Sequence, residues 1–213
     1  MLPHKQLIPT IKLDNEKTWV KVPENMEGLN FSSPLNITIE NTEGKTKEYK
    51  VLVYAFTGLP VMYINTENDT EITSKEEYVN AHLRIVEDIY TRSGEIFESD
   101  VTIKGRGNST WSLPKKPYAL KFDKKTSLLG EPKDKSWVLL ANYTDKTNLR
   151  NEASFFMGRI SNLEWTPRTH FVELFMNEVY CGTYQLCEKI KIADSRVNIT
   201  DDGYLMEIDQ PDR

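Results

Sequence analysis

Residues 101–125, VTIKGRGNSTWSLPKKPYALKFDKK, gather Lys104, Arg106, Lys115, Lys116, Lys121, Lys124 and Lys125 against a single acid, Asp123. Gly105 and Gly107 let the backbone turn with positive φ and come close to a ligand, so that N–H groups can face an anion. Asn108, Ser109 and Thr110 add donors, and Arg106 adds a planar charged fork. This is a phosphate-binding vocabulary. The stretch lacks the third glycine of a dinucleotide fingerprint and the Gly-Lys-Ser/Thr ending of a P-loop, so by itself it also fits a plain glycine turn with a solvated basic face.

Lys121 follows on the next strand, and the helix beyond it carries Arg150 and Glu152. A lysine that touches nucleotide phosphates needs a carboxylate to hold its flexible stem, and protein kinases pair a strand lysine with a helix glutamate for that purpose. The order here, strand, glycine turn, strand with lysine, helix with glutamate and two more strands, is that of a kinase small lobe. Each residue taken singly is as readily a surface charge, and Lys104 and Lys116 are rival phosphate contacts. Trp111 and Trp137 suit core anchors better than base-stacking platforms.

The elements that must position these residues follow from periodicity. Leu35, Ile37 and Ile39, a turn at NTEG, and Tyr49, Val51 and Val53 predict a hairpin, with one more short strand in KTWVKVP upstream. Residues 1–56 then form a partial, β-sandwich-like segment, and AFTGLP is a linker into residues 57–213. Ser74 and Glu77 have the form of a capping box, predicting one helical turn. NAHLRIVEDIY fits a strand or a helix, and the strand is preferred. DVTIKGRG, YALKFD and WVLLAN read as strands. Residues 144–162 form the best helix, with Thr147 or Asn148 as cap and an apolar face (Leu149, Ala153, Phe156, Met157, Ile160) that needs a sheet to pack on. THFVELFMN and GTYQLCEKIKI make a second hairpin, and DDGYLMEIDQ a last turn and strand. The fold class expected is α+β: the partial sandwich, then a mostly antiparallel sheet with one main helix.

The totals exclude some functions. A formal charge of -5 over 213 residues argues against a nucleic-acid-coating protein. No apolar run is long enough for a transmembrane helix, and no signal peptide is evident at the start. Cys181 and Cys187, close together on one strand, suit packed free thiols, and the three histidines lack metal-ligand spacing.

IKGRGNSTW, KKPYALKF, LLGEPKDKSWVLLANYTDKTNLRNEASF and FVELFMNEVYCGTYQLCEKI, in this order, resemble the spore-coat protein H (CotH) kinase family over about residues 57–213. Residues 1–56 look like the trailing part of an immunoglobulin-like module. The resemblance implies a kinase-like N-terminal lobe in an atypical, secreted or surface protein kinase. Such an enzyme moves the γ-phosphoryl of ATP, with Mg or Mn, to Ser or Thr of a partner protein. Gly105, Arg106, Gly107, Asn108 and Ser109 would lie over the triphosphate, Lys121 would reach the phosphates with Glu152 as its helix partner, and Glu188 would sit at the hinge beside adenine. In the family the metal-binding aspartates lie further along than Arg213. Asp201, Asp202, Asp209 and Asp212 are the late acids here, so nucleotide binding is expected of this chain and turnover only of a longer parent. The alternative is an extracellular or cell-surface adhesion module without catalysis.

Overall fold

The computed structural model describes residues 18–21, 34–41, 43–51, 53, 57–87 and 96–207. The chain divides into two compact units, Met1–Thr57 and Gly58–Arg213. In the first, β1 (Thr18–Lys21), β2 (Leu35–Asn41) and β3 (Thr46–Val51) form an antiparallel sheet in that order. The expected hairpin forms with Leu35 opposite Val51 and Ile37 opposite Tyr49. Residues 1–17 and 22–33, which the sandwich-like reading also covers, lie outside the described residues.

The second unit holds β4 (Val61–Thr66), β5 (Val79–Val86), β6 (Ile96–Gly105), β7 (Tyr118–Thr126), β8 (Asp134–Leu140), β9 (Thr169–Met176) and β10 (Val179–Glu188), with one α-helix, α1 (Arg150–Ile160), among the described residues. The strands close into a barrel in the order β10-β8-β7-β6-β5-β4-β9. This corrects the expected α+β, kinase-like N-lobe: the unit is mostly β and its sheet has no free edge. Closure comes from β4, which pairs in parallel with β9, placing Val61 opposite Glu173 and Ile64 opposite Met176. The joint is locked beyond the ladder, because Glu173 N–H donates to Pro60 O at 2.9 Å and Thr66 N–H donates to Asn177 Oδ1 at 2.8 Å. Closing the ring satisfies the edge groups that an open sheet would leave bare.

Alternation fills the interior. Each strand sends at least one fully buried aliphatic side chain inward, among them Ile64, Leu83, Ile103, Leu120, Leu139, Leu174 and Leu186. Burying each contributes about 1.5–3 kcal/mol of transfer free energy. Near Tyr118, Tyr184 stacks on its ring (centroids 6.2 Å apart) and Trp111 meets it edge-on. Trp137, also inward and buried, faces Glu188 across the ladder at the other end.

That second end carries a layer of charge. The segment after β10 doubles back through Arg196 N–H to Ala193 O (2.9 Å) and Val197 N–H to Lys191 O (3.2 Å), which pushes Arg196 into the barrel. Its guanidinium, fully buried, lies over the Trp137 ring at 5.1 Å and pairs with Glu188 at 2.5 Å. Arg168 binds the same carboxylate through Nε at 3.0 Å and also reaches Glu131, which His170 meets at 2.8 Å.

Asp134 completes the layer, with Ser136 N–H at 2.8 Å and Lys191 Nζ at 3.1 Å. Burial works to raise the pKa of its carboxyl, but these two donors, with Arg196 behind them, outweigh burial and hold it below the usual carboxylate range. A folded pKa below the unfolded one means that the stabilisation is complete above the unfolded value of about 4 and drains away as pH falls through the folded value. Urea midpoints followed from neutral to acid pH are therefore expected to drop for the wild type in that window. Asp134→Asn should start lower and show a flatter profile there.

Two local expectations are also modified. Ser74 Oγ accepts the N–H groups of Glu76 (3.0 Å) and Glu77 (3.1 Å), as a cap would, yet no helix follows and the chain runs straight into β5. Helix α1 forms within the expected span, but Leu149 occupies its N-cap position. The donors at its start go to Asp145, whose Oδ2 accepts Arg150 N–H at 2.8 Å, and to Thr147, whose Oγ1 accepts Leu149 N–H. After the Thr200–Gly203 turn, Tyr204–Glu207 is not a strand, and Asp209 and Asp212 lie outside the described residues.

Candidate functional site

The glycines of the basic stretch serve the barrel first. Gly105 N–H donates to Ser74 O at 2.9 Å and Arg106 N–H to Pro117 O at 3.2 Å, so both amides are already occupied. A Cβ on Gly105 would stand 2.4 Å from the Trp111 ring, and one on Gly107, at φ +86, would stand 2.2 Å from Thr110 Oγ1. Asn108 and Ser109 are exposed, Ser109 opening a short 3-10 turn. Lys115 donates to Thr183 O and lies 4.4 Å from the Tyr184 ring centroid, and Lys116 donates to Trp111 O at 2.6 Å. These two lysines tie down the barrel mouth, each spending a donor on a backbone carbonyl.

The outward face of the neighbouring strands has a different character. Register places Lys104, Ala119, Val138 and Cys187 side by side across β6, β7, β8 and β10. The last three make a low, small-residue floor, and alternation alone puts all four on the outside because Ile103, Leu120, Leu139 and Leu186 point in. On one side of the floor a groove of about 290 Å³ is lined by Lys75, Tyr78, Lys104, Arg106 and Lys189. On the other a cleft of about 630 Å³ runs between Leu140, Phe155 of α1, Leu205 and Met206. A third hollow of about 270 Å³ extends to Asn142, Arg150 and Asn151 at the start of α1.

Arg106 lines all three hollows. Its guanidinium is half-buried and makes no ion pair or side-chain hydrogen bond within contact distance among the described residues, although Glu207 lies near enough to act on its charge. Burial pushes its pKa down, an effect countered by Cys187 and Glu207 nearby. An arginine held in this way is an electrostatic deficit that an anionic ligand would relieve.

The other expected site residues are dispersed. Lys121 is exposed on β7 with its ammonium 5.7 Å from the Tyr78 ring centroid, which Lys104 also approaches at 4.9 Å. Glu152 is not its partner. The Glu152 carboxylate takes hydrogen bonds from Arg159, from Thr169 Oγ1 and from Gln185 Nε2 (3.0 Å), fastening α1 to β9 and β10. Burial opposes its charge, but Thr169 and Arg159 outweigh that and hold the carboxyl below the usual range. The Glu188 carboxylate points into the barrel end, where Arg168 and Arg196 hold it, while the residue also borders the cleft beside Cys187. Both thiols are free, and burial raises the Cys187 pKa to about 12, which makes it an inert part of the floor.

Sequence reading missed Val138, Ala119, Lys189 and the α1 residues Asn151 and Phe155. The alternation that assigned Leu120 inward would have assigned Ala119 and Lys121 outward together, and no comparable signal marks the residues of α1. Among the described residues no three carboxylates, histidines or cysteines converge to hold a metal ion.

A family model described as CotH kinase protein matches residues 103–213, from the end of β6 through the whole of the cleft. No curated protein matches the chain.

Proposed function

The chain belongs to the CotH kinase family, and from that premise we propose that its barrel unit binds ATP on the outer face beside Arg106, within an ATP-dependent protein phosphotransferase acting on Ser or Thr. The observation that carries the reading is the half-buried, unpartnered Arg106 guanidinium beside a small apolar floor. A purine fits over Ala119, Val138 and Cys187, and Arg106, with Lys104 and Lys189, supplies charge for phosphates. Gly105 and Gly107 shape the turn that holds Arg106 in place. Lys121 stands at the edge of the groove rather than in it.

When bound, ATP supplies the transferable phosphoryl group. The described residues bind and orient it. A divalent ion finds no ligand cluster among the described residues, and no step is assigned to one. Two further parts of the reading rest on family membership alone: a Ser/Thr-bearing protein as acceptor, and a secreted or cell-surface location.

The test is thermal. A ligand at a hundred times its Kd stabilises the native state by about 2.7 kcal/mol, a shift on the order of 5–10 °C for a domain of this size. ATP with Mg²⁺ or Mn²⁺ is expected to produce such a shift. Arg106→Ala should weaken binding about 10–100-fold, the loss of one charge-assisted contact, while Lys125→Ala should leave the shift intact. No shift with either metal, or equal shifts for Arg106→Ala and wild type, would sink the reading.

A further inference from the structure

The depression around Arg106 has two unlike ends. The groove and the larger cleft share Arg106, Val138 and Lys189, so they are continuous over the small-residue floor. The groove end is cationic, with Lys75, Lys104, Arg106 and Lys189 against the single acid Glu76. The cleft end is apolar, walled by Leu140, Pro167, Ile190, Leu205 and Met206, and Phe155 is its one aromatic side chain among the described residues. Register sets Lys104 and Cys187 three strand intervals apart, on the order of 14 Å in all, which is long enough for a nucleoside triphosphate laid across the strands.

Phe155 stands there because of how α1 is rotated. Glu152, held by Thr169 and Gln185, and Asn151, bonded to Asn142, pin the helix, so that it cannot roll without breaking those bonds. The apolar positions expected to pack on the sheet face away from it, Phe156 being 52 %, Met157 62 % and Ile160 62 % exposed, while half-buried Phe155 is turned onto the cleft. We propose that Phe155 is the base-stacking residue of the site, so that a nucleotide lies with its base in the cleft against this ring and its phosphates toward Lys104. The inference deepens the nucleotide reading and rests on it. An aromatic face binds a base through its π surface, which leaves Arg106, lining both ends, to the phosphates. The reverse orientation would bring the phosphates among Leu140, Leu205 and Met206 and beside the Glu207 carboxylate, where their charge is poorly compensated, and would spend the cationic end on a neutral base.

Calorimetric titration of the whole chain with ATP and, separately, with inorganic tripolyphosphate, both with Mg²⁺, tests it. Phe155→Leu keeps apolar bulk and removes the ring; it is expected to weaken ATP about tenfold, the scale of one base–aromatic stack, and to leave tripolyphosphate within about twofold of wild type. Phe155→Tyr is expected to bind ATP as the wild type does, and Arg106→Ala to weaken both ligands because it acts on the phosphates. Unchanged ATP affinity in Phe155→Leu would overturn the assignment. So would an equal loss of both ligands, which is what a displaced helix produces, or a wild type that holds ATP no more tightly than tripolyphosphate. A wild type that binds neither ligand would defeat the nucleotide reading itself, and the role of Phe155 with it, a result distinct from any of these.

Discussion

Replacing Glu188 with alanine is expected to destabilise the barrel by about 3–5 kcal/mol, the usual cost of removing one partner from a buried ion pair. The reason is the state of what remains. Arg196 is fully buried, its Nη1 bonds Ser195 O at 3.1 Å, and its Nε and Nη2 have no protein partner even in the wild type. Arg168 would lose its acceptor as well, keeping Glu131 at 3.3 Å. Urea denaturation read by far-ultraviolet circular dichroism measures the loss. Replacing Glu188 and Arg196 together by leucine should recover much of it, since an apolar pair strands no charge. A Glu188→Ala variant within about 0.5 kcal/mol of wild type, the range of an ordinary surface substitution, would contradict the structural role given to this carboxylate.

Trp137→Ala is the second large effect, expected at about 3–5 kcal/mol for a fully buried aromatic cut to a methyl group. Cavity formation is one part of the cost. The indole also donates through Nε1 to Asp134 O at 3.2 Å and provides the face on which the Arg196 guanidinium rests. Because Trp137 and Glu188 hold the same cation, their effects should not add. A double-mutant cycle in urea is expected to give a coupling of about 0.5–3 kcal/mol. Additivity would mean that Arg196 relaxes out of the barrel as soon as either support is removed.

These two positions show how differently parts of the chain could be read in advance. The tryptophan was legible as a core anchor, since it opens WVLLAN, a continuous apolar run of strand length. Glu188 was not. It follows a strand pattern and resembles a hinge position by motif, and its partners Arg168 and Arg196 come from segments whose pairing no local period announces. The same contrast separates Gly107 and Arg106. A glycine turn was evident from the letters, whereas the half-buried guanidinium beside it depends on three hollows built from β8, β10, α1 and the segment after Ile190. Lys121 and Glu152 were brought together by analogy of order, and the structure gives Glu152 to Arg159, Thr169 and Gln185 instead.

The amino-acid sequence by itself determined most of the strands, a glycine turn at Gly107, the presence of α1 and the family, because period-two and helical patterns, turn chemistry and motif order are local or linear properties. Tertiary structure alone decided that the sheet closes. The parallel pairing of β4 with β9 joins segments more than a hundred residues apart, and an inward-outward pattern is the same on an open sheet as on a barrel. It also decided which side of α1 meets the protein. Apolar spacing ordinarily points a helix inward, but hydrogen bonds from Thr169 and Gln185 to Glu152 and from Asn151 to Asn142 fix its rotation, and they turn Phe156, Met157 and Ile160 outward.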